Sequence, residues 1–227
     1  MSIFRWLALI GLMGGLLIMP TGVGAQDQAE GTPTPVEDRY TDLFQAQIAP
    51  GFPFLGFPEA AVGVRLYMRF GDPASAAFHE TVYPALLPRV AAGEVRLTMV
   101  PLFTETAIPG AEGAARAAIC ASDQNEFWGF QDLLFGWQRE FGAAAFDGER
   151  LLSGVDVLGL NSVSWNQCLL SNRPDLTLES AQSESSLEIN FTETPFVTVN
   201  GIPVLPDLPS LTAAIDEELS AAAARGA

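Results

Sequence analysis

Val62-Gly-Val-Arg-Leu-Tyr-Met-Arg-Phe70, followed at once by Gly71-Asp72-Pro73-Ala74-Ser75-Ala76-Ala77-Phe78-His79-Glu80, is the stretch that decides the fold. Its first half is β-rich, and Val64, Leu66, Met68 and Phe70 recur every second residue, so they share one face of a buried strand. Its second half opens a helix. Asp72 has the side chain of an N-cap, and Pro73 suits the first helical position, where no backbone donor is lost. Phe78, Val82, Leu86 and Val90 then form an i, i+4 stripe with Tyr83 and Leu87 beside it. Pro84 falls inside this helix and should kink it.

Working outward, Glu94 to Leu102 reads as a second strand, and the chain from Gly110 to about Ile189 is helical in pattern. That block holds Ala114–Ala121, Glu126–Phe141, Gly148–Leu158 and Ser164–Leu170. Phe196–Val199 and Ile202–Leu205 flank Asn200-Gly201, the pair that supplies two left-handed residues to a tight hairpin turn. A last helix starts near Pro209. On the N-terminal side, Tyr40, Leu43, Phe44 and Ile48 recur at helical spacing after Glu37 and Asp38 and before Pro50-Gly51, which predicts a short amphipathic helix. The order is strand, helix, strand, helical block, hairpin, helix, which is an α/β arrangement.

The first residues are Met1-Ser-Ile-Phe-Arg5, then comes an apolar run from Trp6 to Met19, broken by Pro20 and followed by Val23-Gly24-Ala25. That layout predicts a secretory signal peptide over residues 1–25, hence an exported protein in a periplasmic or other extracytoplasmic compartment. A retained membrane tether through residues 3–25 is the alternative, because about 20 uncharged residues span a bilayer. Gln26 to Pro35 reads as a flexible tether, so residues 26–50 are divided into tether and short helix, and residues 51–227 form the domain proper, its helical insertion lying at about 110–190.

Beyond Ala25, 10 arginines face 27 acids, and the chain contains no lysine. Such a surface repels nucleic acid and anionic lipid and favours solubility or basic partners. Cys120 and Cys168 stand 48 positions apart, which in an exported chain predicts one structural disulfide, with two unpaired thiols as the alternative. One histidine, His79, and no clustered ligands leave no metal site to predict, and no cofactor is implied.

Four ordered segments resemble the DsbA-like branch of the thioredoxin-fold family. Gly51-Phe-Pro-Phe-Leu-Gly-Phe-Pro-Glu-Ala-Ala-Val62 is similar to the lead-in to its first strand, and Phe78-His79-Glu80 resembles the F-H-E that follows its C-P-x-C motif. Ala117-Ala118-Ile119-Cys120, Phe127-Trp128 and Asp132-Leu-Leu-Phe135 resemble its inserted helices, and Thr194-Pro195-Phe-Val-Thr-Val-Asn200-Gly201 resembles the segment that holds its cis-proline. The resemblance covers Gly51 to about Leu219. It implies a thioredoxin-like fold with a helical insertion, a cis Thr194–Pro195 bond, and a second cysteine pair, in Cys120 and Cys168, like that of some relatives.

The departure is as informative. The resemblance places the C-P-x-C motif on Asp72-Pro73-Ala74-Ser75, so both sulfurs are replaced. Exchange needs a thiolate to attack and a second thiol to resolve the mixed disulfide, and neither side chain serves. The expectation is a redox-inactive module that binds an extended peptide or protein partner beside Thr194 and Pro195, or assembles a complex, since strand addition needs no thiol. The enzyme alternative is a glutathione-dependent transferase or isomerase of kappa-class type using Ser75, and the third reading is a purely structural subunit of an envelope complex. Asp72, Ser75 and His79 also share one helical face and the residue types of a hydrolase triad, but the acid stands on the wrong side of the serine and no oxyanion hole is evident. His79 is therefore read as a packing or solvent-facing residue.

Overall fold

The structure is a computed structural model that describes residues 39–103 and 108–226. The predicted signal peptide or membrane tether over residues 1–25 and the predicted flexible tether lie outside the described residues. Among the described residues, no helix is long and apolar enough to cross a membrane.

The strand expected from Val62 forms as β3 (Val62–Arg69), with Val62, Val64, Leu66 and Met68 all buried in one cluster and Tyr67 on the other face. Asp72 caps α1 (Pro73–Thr81), and the chain breaks at Val82 before α2 (Tyr83–Ala91), in which Pro84 sits in the first turn. The sequence reading expected one kinked helix. The structure resolves it into two, because a proline tolerated in a first turn cannot continue the hydrogen bonding of a preceding helix. β4 (Val95–Leu102) then returns parallel to β3, with Val62 opposite Val95 and Arg69 opposite Leu102.

The helical block follows as α3 (Ala111–Ala121), α4 (Phe127–Phe141), α5 (Gly148–Val157), α6 (Ser162–Leu170) and α7 (Arg173–Ser185), with short 3-10 turns at Ser122–Gln124 and Gly142–Ala144. β5 (Phe196–Val199) and β6 (Ile202–Val204) make the Asn200-Gly201 hairpin, whose turn residues both have positive φ, and α8 (Leu208–Gly226) ends the described chain. β3, α1, α2 and β4 supply the βαβ half, and β5, β6 and α8 supply the ββα half.

One expectation fails. Gln45–Ile48, within the predicted short helix, is a strand, β1, and Phe52–Leu55 is another, β2. They pair antiparallel across Ala49-Pro50-Gly51, and β2 joins the free edge of β4 through Phe54 and Leu55, opposite Thr98 and Leu97. The sheet thus has six strands in the order β1-β2-β4-β3-β5-β6. Helical spacing in this short segment is outweighed by the backbone partners that a sheet edge supplies. Gly56, just beyond β2, has φ +101, and a Cβ there would stand 2.6 Å from the Val95 carbonyl, so the close pass beside β4 requires glycine.

Both faces of the sheet are covered. The larger cluster joins Val64, Leu66 and Leu97 to Phe78 and Leu86 and to Leu211 and Ile215 of α8, and it runs on into Phe127, Trp128 and Phe130 of α4. A smaller one packs Phe52, Tyr67, Val100 and Leu102 against Ala181 of α7. Burying each large apolar side chain contributes roughly 1.5–3 kcal/mol, and the larger cluster packs the insertion against α1.

Candidate functional site

Asp72 stands between β3 and α1 with extended backbone angles (φ −92, ψ 121), so its carboxylate folds back over the helix end. It accepts from the Ala74 amide (3.3 Å), the Ser75 amide (3.0 Å) and the Ser75 hydroxyl (2.7 Å). The positive end of the α1 dipole adds to these bonds. Thr194, carried in from the segment before β5, donates its hydroxyl at 2.8 Å to Asp72 Oδ2, the oxygen that receives both Ser75 groups. The Thr194–Pro195 peptide is cis. Tertiary structure therefore brings Asp72, Ser75, Thr194 and Pro195 together from two ends of the chain.

Ser75 is fully buried, and its hydroxyl also accepts the Arg69 amide at 3.3 Å. Committed to Asp72 and to the backbone, it presents no donor to a glutathione thiol. The insertion touches the site as well, since Gln138 of α4 accepts the Gly71 amide at 3.2 Å. Pro73 and Ala74, between Asp72 and Ser75, are exposed.

His79 does not join Ser75. Its Nε2 donates to Asp132 of α4 at 2.8 Å, and its ring stacks on Tyr83 with centroids 5.1 Å apart and lies against Phe135 at 4.6 Å. Of the two roles expected for His79, packing is the one it fills; it is not solvent-facing. Asp132, its side chain only 7% exposed, also receives the Tyr40 hydroxyl at 2.9 Å and pairs with Arg39 at 3.1 Å. Tyr83 donates to the Tyr40 oxygen at 3.2 Å. Burial first, and then the Asp132 charge, pushes the Tyr40 phenol far above its ordinary value; burial, then Tyr40 and Asp132, does the same to Tyr83.

Sequence reasoning missed Asp132 as the centre of this network. The signal was present, because Trp128, Asp132 and Phe135 fall on one helical stripe and an acid amid large apolar residues needs buried partners.

Cys120 of α3 and Cys168 of α6 form a disulfide with Cα atoms 5.6 Å apart. Arg173 lies over it, with Nη1 donating to the Ile119 carbonyl at 3.0 Å and 3.7 Å from the Cys168 sulfur. Neither sulfur shares a hydrogen bond with the Asp72 cluster. Among the described residues, no group of three or more His, Cys, Asp or Glu side chains is placed to hold a metal ion.

Comparison with known proteins agrees with this fold. A thioredoxin family model matches residues 49–217. A thioredoxin-like oxidoreductase from Silicibacter pomeroyi is 24% identical with TM-score 0.61, the match covering 78% of this chain and 94% of that one. Oxidised BdbD from Bacillus subtilis is 20% identical with TM-score 0.64, covering 79% and 99%. A variant of alpha-DsbA1 from Wolbachia pipientis is 16% identical with TM-score 0.68, covering 80% and 96%. No curated protein sequence matches the chain. With its βαβ and ββα halves and its helical insertion, the chain belongs to the thioredoxin family and has a DsbA-like fold.

Proposed function

We propose that this protein is an exported, redox-inactive member of its family that holds an extended segment of a peptide or protein partner beside Thr194 and Pro195. The observation that carries this reading is the occupancy of the α1 N-terminus. Where disulfide exchange needs an attackable thiolate, Asp72 and Ser75 are bonded to each other, and Thr194 is bonded to Asp72. The chain's two cysteine sulfurs are bonded to one another within the insertion. Losing the thiols leaves untouched the backbone with which an added strand pairs. The signal-like sequence over residues 1–25 supports export.

Two measurements on the purified protein test the reading. Turnover of a disulfide-linked fluorescent peptide in the presence of glutathione should equal the buffer rate, and catalysis would overturn redox inactivity. Amide hydrogen exchange across residues 192–197 should slow when a reduced, carboxymethylated unfolded protein is added. Unchanged exchange at saturating concentrations of that protein overturns the binding reading.

A further inference from the structure

Arg69, the last residue of β3, shares a sheet face with Arg65 and Tyr67, because side chains alternate along a strand. Arg65 pairs there with Glu184 of α7. Arg69 does not follow it. Among the described residues no carboxylate pairs with its guanidinium, and its Nε is buried without a hydrogen-bond partner. A buried donor on a charged group is costly when left unpaired, and this chain has 27 acids against 11 basic residues, so acids are not scarce.

The residue belongs to the Asp72 cluster. Its amide donates to Ser75 Oγ at 3.3 Å, Ser75 Oγ donates to Asp72 Oδ2, and Thr194 donates to that same oxygen. The β3–β5 ladder leads to the same place. It pairs Tyr67 with Phe196, so Arg69 lies two residues past that pair on one chain and Thr194 two residues before it on the other. An extended segment beside Thr194 therefore passes the end of β3. The acids of the neighbouring elements are already engaged. Asp72 receives the Ala74, Ser75 and Thr194 donors, Glu184 pairs with Arg65, and Glu188 receives the Tyr67 hydroxyl, while Glu193 stays exposed.

We propose that Arg69 determines specificity in this groove by pairing with one carboxylate of the extended segment held there. This rests on the peptide-holding reading above and adds a chemical requirement on the partner. A guanidinium offers Nε–H and Nη–H along one edge, and these match the two oxygens of a carboxylate. In a chain of formal charge −16 the selection acts at contact, because the overall field does not attract acidic partners. An Asp or Glu side chain and a chain terminus present the same group to Arg69.

Fluorescence anisotropy with the full chain and three heptapeptides of Ser, Thr and Val, labelled at the N-terminus, tests this. One carries a central Glu and a C-terminal amide, the second a central Gln and an amide, and the third a central Gln and a free C-terminal carboxylate. The Glu peptide or the free-acid peptide should bind about tenfold more tightly than the neutral one, and the arm that does so identifies the source of the carboxylate. Arg69→Met should abolish that difference while leaving the circular dichroism spectrum unchanged. Arg69→Lys, which keeps the charge and loses the fork, should retain only part of it. If Arg69→Met does not fold, the unmodified protein and Arg69→Lys decide. Equal binding of all three peptides by the unmodified protein, or a carboxylate preference undiminished in a folded Arg69 variant, overturns the assignment and leaves the groove reading intact. Failure of every peptide to bind overturns both.

Discussion

Thr194 donates to Asp72 Oδ2 at 2.8 Å across 122 positions of sequence, so the residue before Pro195 is tied directly to the cap of α1. The same oxygen accepts both the amide and the hydroxyl of Ser75. Asp72→Ala should therefore destabilise the protein by about 1–2 kcal/mol through loss of the cap, and Thr194→Val by about 1 kcal/mol. In urea unfolding the double variant should lose less than the two single losses added, because both remove the same bond. Strict additivity would show that this hydrogen bond contributes nothing.

Asp72→Cys combined with Ser75→Cys places a sulfur at the helix end and a second one three residues on, where the helix dipole lowers a thiol pKa. Measurable disulfide exchange by this variant, against none by the unmodified protein, is the expected result. An inert but folded double variant would mean that the site excludes the incoming disulfide.

The Cys120–Cys168 disulfide closes a loop of 48 positions. In the chain-entropy account this stabilises the fold by about 4 kcal/mol. Cys120→Ala with Cys168→Ala should lower the urea midpoint accordingly, with little change in circular dichroism before unfolding. A thiol assay on the denatured, unreduced protein should find no free sulfhydryl.

All three tyrosines, Tyr40, Tyr67 and Tyr83, titrate above their ordinary value of 10.0, chiefly because burial penalises the phenolate. At Tyr67, bonding to Glu188 adds to the effect. Above the ordinary value the unfolded chain gives up protons that the folded chain retains, so the native state binds more protons and stability must fall as pH rises. This contribution is fully present below pH 10. Urea midpoints should hold from pH 8 to about 9.5 and then decline, and tyrosinate absorbance should appear only together with unfolding. Tyrosinate formation near pH 10 in the folded protein would show the rings to be accessible.

What the sequence by itself determined were the features written in local pattern. Period-two apolar residues specify β3, the Asp72-Pro73 cap specifies the start of α1, and Asn200-Gly201 specifies the β5–β6 turn. The absence of any cysteine from Asp72 to Ser75 was legible too, because residue identity alone decides whether a thiolate can exist. Tertiary structure decided the rest. Tyr40, Leu43, Phe44 and Ile48 satisfy a helical period, yet Gln45–Ile48 is a strand, since β4 offers β2 an edge that the local pattern cannot register. Likewise His79 and Ser75, one helical turn apart, take different partners. Ser75 is turned to Asp72 and the Arg69 amide, and His79 to an acid 53 positions away, because a buried polar group bonds to whatever the fold packs against it.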